Sequence, residues 1–173
     1  MEKNKIFIQK DFKPCEKVWK RDIGFNIKAI SDPEIKGDKY FDGAYRSIDY
    51  IEYKTGIKID PIFKGIQKEQ IYTTIWPRSS LSKYNLMLAN SIGLIDPDYR
   101  NEITVRFKYI YQPEDLIFNE SLNIFLVKPN LNKIYRIGDQ IAQLVFMKEV
   151  DVEFEFVPFL AETGRGGFGS TGV

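Results

Sequence analysis

Short runs rich in Ile, Val, Phe and Tyr recur along this chain, each cut off by turn residues before it reaches helical length. They fall at residues 6–8, 25–29, 57–59, 71–76, 103–110, 124–127, 141–147 and 152–157. Between them stand Asp32-Pro33, Asp42-Gly43, Asp96-Pro97, Lys128-Pro129-Asn130 and Gly138-Asp139. Such lengths and spacings suit an all-β sandwich or barrel, not alternating β-α units. The helical signal is weak and confined to residues 16–21, with a turn at 79–83 as the other candidate. No internal repeat is visible. From Gly164 to Val173 the chain is nearly all Gly, Ser and Thr around Arg165 and Phe168. By composition alone such a tail is a fraying terminus.

The 173 residues are 43% hydrophobic, enough for one domain with a core. Lys and Arg number 25 against 24 acidic residues, a net charge of +1. That balance argues against a general nucleic-acid binder, which carries a basic excess or stripe. It leaves room for a small phosphorylated ligand, which needs only a local cluster of donors. There is no histidine. A His/Cys zinc site, a histidine general base and any Ser-His or Cys-His nucleophile pair are therefore ruled out. An enzyme built from this chain is expected to use a carboxylate base and, if any metal, a hard cation held by oxygen such as magnesium. Cys15 is the only cysteine, so no internal disulfide can form. Residues 1–10 are charged, and no stretch reaches the ~20 apolar residues of a membrane span. A cytoplasmic protein with no membrane partner is the expectation.

Several segments bring chemistry together. Pro77-Arg78-Ser79-Ser80-Leu81-Ser82 follows a strand, and its amides, hydroxyls and guanidinium can converge on an anion. It is equally an ordinary polar turn. Residues 89–100 resemble a hairpin, with Gly93 at a tight bend and a return strand ending in Asp96-Pro97. A partly desolvated Asp96 there can activate water; it can also simply cap a turn. Gln143 interrupts an apolar run, so its amide needs a partner in the backbone or a ligand. In the tail, flexible glycines, Arg165, the Phe168 ring and the hydroxyls of Ser170 and Thr171 are parts that can close over a nucleotide.

In this order the segments resemble the trimeric dUTPase family. Its five short motifs have counterparts at Asp22-Ile23-Gly24-Phe25-Asn26-Ile27-Lys28-Ala29, at 77–82, at 90–102, at 138–145 and in the tail, which ends Gly-Phe-Gly-Ser-Thr-Gly. The resemblance implies a jelly-roll-like β fold and a homotrimer with an exchanged C-terminal arm and three active sites at subunit interfaces. It divides the chain into a β domain over 1–163 and a lid arm over 164–173. The implied activity is hydrolysis of dUTP to dUMP and pyrophosphate, by magnesium-assisted attack of water on the α-phosphorus. Carried over by position, Asp96 is the base, and Gln143 lies near phosphates and water. Arg78, Ser79 and Ser80 bind phosphate. Backbone groups of Gly93, Leu94 and Ile95 read uracil, with a side-chain amide from Asn90, and Tyr99 packs under deoxyribose. Phe168 stacks on the base, and Arg165, Gly169 and Ser170 complete the arm.

Two departures stand out. Asn26 occupies a position where the family usually has an Asp acting on the magnesium side through water. The arm has Thr163 where the family has its arginine, and Arg165 sits two residues later. The connection from Glu102 to Gly138 is also long for the family, which implies an inserted hairpin or loop at about 109–134. That insert is either plain decoration or a surface for a protein partner, as in phage-encoded members; the many Lys, Ile and Asn residues fit a phage-like origin. A dCTP deaminase, which shares the fold, would need a glutamate where this chain has Arg106. A catalytically weak binding or regulatory protein on the same scaffold and a structural jelly roll are the remaining alternatives.

Overall fold

The computed structural model describes residues 7–8, 21–41, 43–60 and 71–161. The strands are β1 (Phe7–Ile8), β2 (Phe25–Lys28), β3 (Glu34–Phe41), β4 (Ala44–Ile57), β5 (Ile59–Asp60), β6 (Ile71–Pro77), β7 (Leu86–Leu88), β8 (Gly93–Ile95), β9 (Ile103–Tyr109), β10 (Leu116–Asn119), β11 (Ile124–Val127) and β12 (Gln140–Lys148). All pair antiparallel. No α-helix occurs among the described residues, and none there is long and apolar enough to cross a membrane. The turn expected at 79–83 is a 3₁₀ turn, Ser79–Lys83. The other helical candidate falls outside the described residues, except Arg21, which lies in a turn.

Two sheets face each other. One runs β2-β12-β6-β8; the other runs β10-β11-β4-β9-β7, with β3 also paired to β4. Strict alternation makes β9 a two-faced strand: Ile103, Val105, Phe107 and Tyr109 are buried and the residues between them are more exposed. The second sheet contributes Ile51, Tyr53, Val105 and Phe107 to a core cluster that also holds Ile27, Ile75, Ile141 and Leu144 from the first. That shared cluster makes the fold a β-sandwich. Tyr53 and Phe107 meet edge to face with ring centroids 5.7 Å apart, and the Tyr53 hydroxyl donates to the Tyr135 carbonyl at 3.0 Å.

The hairpin β3–β4 was not legible as strands, because 34–41 is charged and stays mostly exposed. Near its end β4 bulges: pairing slips between Lys54 and Ile57, and Gly56 takes φ 66°. Strands β10 and β11 form a hairpin within the stretch expected to be an insert, about 109–134. The run at 152–157 was expected to be a strand and is not one; residues 149–161 are exposed. Its alternation is real, but no strand of the described chain pairs with it.

Candidate active site

Residues 89–100 correct the expectation of a hairpin. Strand β7 pairs with β9 in one sheet and β8 pairs with β6 in the other, so the segment arches between the two layers. The bend falls at Ser91, with φ 59°, and Gly93 begins the return strand. Glycine is needed there for space. A Cβ at Gly93 would lie 3.1 Å from Asn90 Nδ2 and 3.2 Å from Ile75 Cβ. The Asn90 amide thus lies directly over the start of β8.

Strand β8 closes one side of its sheet and pairs only with β6 among the described residues. One row of its backbone N–H and C=O groups therefore has no strand partner among the described residues. Gly93 and Ile95 face the core, while Leu94 is 66% exposed. Directly after β8, Asp96-Pro97 starts a turn in which Tyr99 N donates to Asp96 O at 3.1 Å. Asn90, Gly93, Leu94, Ile95, Asp96 and Tyr99, with Ile75, Ile103 and Thr104, line a groove of about 180 Å³. An adjoining hollow of about 290 Å³ shares Ile75, Asn90 and Thr104 with it.

The groove is braced from behind. The Tyr99 hydroxyl donates to the Glu102 carbonyl at 3.1 Å, and the Glu102 carboxylate accepts from Gly56 N at 2.8 Å, in the β4 bulge. Arg100 pairs with Asp60 of β5 at 2.8 Å. These contacts fix where the Tyr99 ring and the Asp96 turn lie. Sequence reading missed Thr104 and Asp60, and gave no role to Arg100 and Glu102 although both lie within the 90–102 motif. Their roles come from pairing across strands, and no local motif announces it. Asp96 is exposed, so the partial desolvation expected for a base is not supplied by packing among the described residues.

A second polar cluster forms where β2, β12 and the end of β6 meet. Arg78 leads into the 3₁₀ turn as its N-cap, and Leu81 N donates to Arg78 O at 2.9 Å. The amides of Ser79 and Ser80 precede that bond and head the turn. The Arg78 guanidinium hydrogen-bonds the Gln140 side chain. Burial raises the pKa of Tyr135, and the neighbouring Ser80 side chain offsets part of that rise. Gln143 stands opposite Asn26 on one side and Trp76 on the other. Its Nε2 donates to Asn26 Oδ1 at 3.2 Å. The amide thus has the partner its setting demands, supplied by a buried side chain.

Asn26, Arg78, Ser79, Ser80 and Gln143 do not line the Asp96 groove. The expected site residues among those described therefore fall into two groups, one on the arch and one on the 3₁₀ turn with β2 and β12. Arg165, Phe168, Gly169 and Ser170 lie outside the described residues. Arg106 is committed elsewhere: its Nε bonds Glu52 Oε2 at 2.6 Å, and its guanidinium lies 4.3 Å from the centre of the Tyr50 ring.

Residues 51–172 match the dUTPase family. The chain belongs to that family. This dUTPase-family chain is 39% identical over 126 residues to the deoxyuridine 5'-triphosphate nucleotidohydrolase of Desulfitobacterium hafniense, covering 71% of this chain and 68% of that one. It is 31% identical over 153 residues to the protein of the same name from Wigglesworthia glossinidia brevipalpis, covering 86% and 80%. Among solved structures it is similar to the Staphylococcus bacteriophage 80alpha dUTPase with dUpNHpp, at TM-score 0.66 and 22% identity over 99% of this chain and all of that one. It is also similar to a mutant dUTPase from phage phi11 of S. aureus described with a structural Mg(II) ion, at TM-score 0.59 and 16% identity over 90% and 98%. These two likenesses establish the dUTPase fold for the chain.

Proposed function

We propose that this protein is a dUTP diphosphatase, hydrolysing dUTP to dUMP and pyrophosphate by attack of water on the α-phosphorus. The observation that carries the reading is the groove in which Asn90, the open side of β8, Asp96 and Tyr99 meet. An exposed strand edge offers donors and acceptors in fixed alternation, which suits the edge of uracil. Cytosine presents an amine where uracil presents an oxygen, and each mispaired buried group costs about 1–3 kcal/mol. In this reading Tyr99, tethered through its hydroxyl, packs under deoxyribose and leaves no room for a 2′-hydroxyl. Asp96 orients the water and takes its proton, so positioning supplies much of the rate. Arg78, Ser79 and Ser80 hold phosphate oxygens, Gln143 lies beside them, and the arm carrying Arg165, Phe168, Gly169 and Ser170 closes over the nucleotide.

Magnesium is the metal this reading implies. Among the described residues no group of three or more His, Cys, Asp or Glu gathers to hold an ion. Magnesium commonly keeps its waters and takes phosphate oxygens with few carboxylates, so these residues fit a metal carried on the triphosphate. When bound it offsets charge developing on the phosphate oxygens.

A homotrimer is part of the same reading. In this reading the two groups of site residues are half-sites, and the surface of a second copy gives Asp96 its burial. Residues 150–160 also leave Phe154, Phe156, Phe159 and Leu160 between 78% and 97% exposed, which a second copy would cover. The β10–β11 hairpin exposes Phe118, Leu122 and Phe125 and is suited to a protein partner. The cytoplasm, where dUTP is made, is the compartment this activity calls for.

The test is pyrophosphate release from dUTP, dCTP, dTTP and UTP, with and without magnesium, by the wild type and Asp96→Asn. Release from dUTP alone is expected, with Asp96→Asn binding nucleotide but slower by roughly 10²–10⁴-fold. Ammonia from dCTP without pyrophosphate from dUTP would replace this reading with deamination. Near-normal turnover by Asp96→Asn would remove Asp96 as the base.

A further inference from the structure

Gln143 meets two residues of the β2 segment, Asn26 in the strand and Gly24 just before it, and each contact has a distinct physical cause. The Gln143 Nε2 donates to the Oδ1 of Asn26, which is only 5% exposed. The two residues stand opposite each other in the β2–β12 ladder, so the bond needs no excursion of either chain. Two residues earlier in the same segment lies Gly24, its backbone against the Gln143 side chain. A Cβ built there would be 3.0 Å from Gln143 Cβ, 3.3 Å from its Cδ and 3.5 Å from its Cγ. Gly24 is not among the glycines with left-handed φ, so glycine is required for room and not for backbone freedom. With Nε2 tied to Asn26, the Oε1 end of the carboxamide is the end left to accept a hydrogen bond.

We infer that Gly24 and Asn26 are positioning residues that fix the orientation of the Gln143 carboxamide, so that Oε1 accepts a hydrogen bond from water at the phosphate half-site. This deepens the dUTP diphosphatase reading and rests on it for the identity of the reaction. Gly24→Ala pushes the side chain of Gln143 aside by a few tenths of an ångström or more. Asn26→Ala leaves the amide free to turn. Neither residue touches substrate in this scheme, so both act only through Gln143.

A double-mutant cycle on dUTP turnover separates this from a general packing role. Gly24→Ala is expected to lower kcat by roughly 10- to 100-fold, with KM changed less than about threefold. In a Gln143→Ala background the same substitution should cost less than about twofold, because the group it acts through is gone. Full multiplication of the two losses, or a normal kcat in Gly24→Ala, overturns the inference. A second readout does not depend on the reaction. In nitrogen-labelled protein the side-chain NH₂ signals of Gln143, assigned by their loss in Gln143→Ala, should shift in both Gly24→Ala and Asn26→Ala. Unmoved signals overturn the positioning role whatever the substrate. Shifted signals in a wild type that releases no pyrophosphate from dUTP uphold the positioning and refute the activity instead.

Discussion

Tyr53 shows what one side chain contributes to both packing and pH response. Its ring meets Phe107 and Tyr135 edge to face, and its hydroxyl is spent on the Tyr135 carbonyl. Burial pushes its pKa well above the ordinary 10.0. Tyr135 and Tyr109 are raised as well, burial again the first cause. The folded chain therefore holds these protons longer than the unfolded chain does. Their contribution to stability is complete below the unfolded value and is lost as pH climbs from about 10 toward the raised folded values. Melting temperature should be level through neutral pH and fall above about 10, in step with tyrosinate absorbance. Replacing Tyr53 by Phe should cost stability at neutral pH, through the orphaned Tyr135 carbonyl, and flatten part of the alkaline decline. A decline of unchanged steepness in that variant would mean other groups govern it.

The β10–β11 hairpin is the element with the clearest anchor. Asp115 is 3% exposed, and its Oδ2 accepts from the Tyr109 hydroxyl at 2.8 Å and from Gln112 N at 2.9 Å. The Tyr109 hydroxyl in turn accepts from Asn130 N at 2.9 Å, on the far side of the hairpin. One carboxylate thus ties the entry strand to the turn at residues 113–115, and the tyrosine ties both to the exit. Asp115→Ala leaves two donors without their acceptor, a loss of about 1–3 kcal/mol for the buried hydroxyl. Urea titration should register that loss, and limited proteolysis should cut between β10 and β11 sooner than in the wild type. Little should happen to dUTP turnover, because neither half-site includes the hairpin. An intact proteolysis pattern would mean that β11's pairing with β4 alone holds the element.

At the scale of the whole molecule the proposed homotrimer is what a measurement can decide. Residues 149–156 alternate acidic and apolar side chains, as a half-buried strand does, yet the whole stretch 149–161 lies exposed. The proposed trimer would cover a surface of that kind. Sedimentation of the intact protein should give a mass near three times 20.2 kDa. Truncation after Lys148 should leave smaller species with the same far-ultraviolet circular dichroism and little turnover. A monomeric wild type that is fully active would refute the exchanged arm.

Much of this could be read without coordinates, and the division has a physical basis. Strand identity in β2, β6, β9 and β12 followed from short runs rich in Ile, Val, Phe and Tyr bounded by turn residues, because such side chains suit a pleated, buried surface; β9 also alternates strictly. The absence of histidine and the order of short motifs narrowed the chemistry, since reactive groups are residue types before they are positions. Other features depend on which strands pair. The Asn90–Asp96 segment reads locally as a hairpin, and only the separate partners of β7 and β8 make it an arch with an open edge. The hold of Asn26 and Gly24 on Gln143 spans 117 residues of chain in the Asn26 bond alone. No local pattern records such contacts, because they are set by register between strands far apart in sequence. The sequence by itself therefore determined the kind of strands and the inventory of reactive groups. Tertiary structure decided which of those groups share a groove, because pairing register and layer packing are global choices.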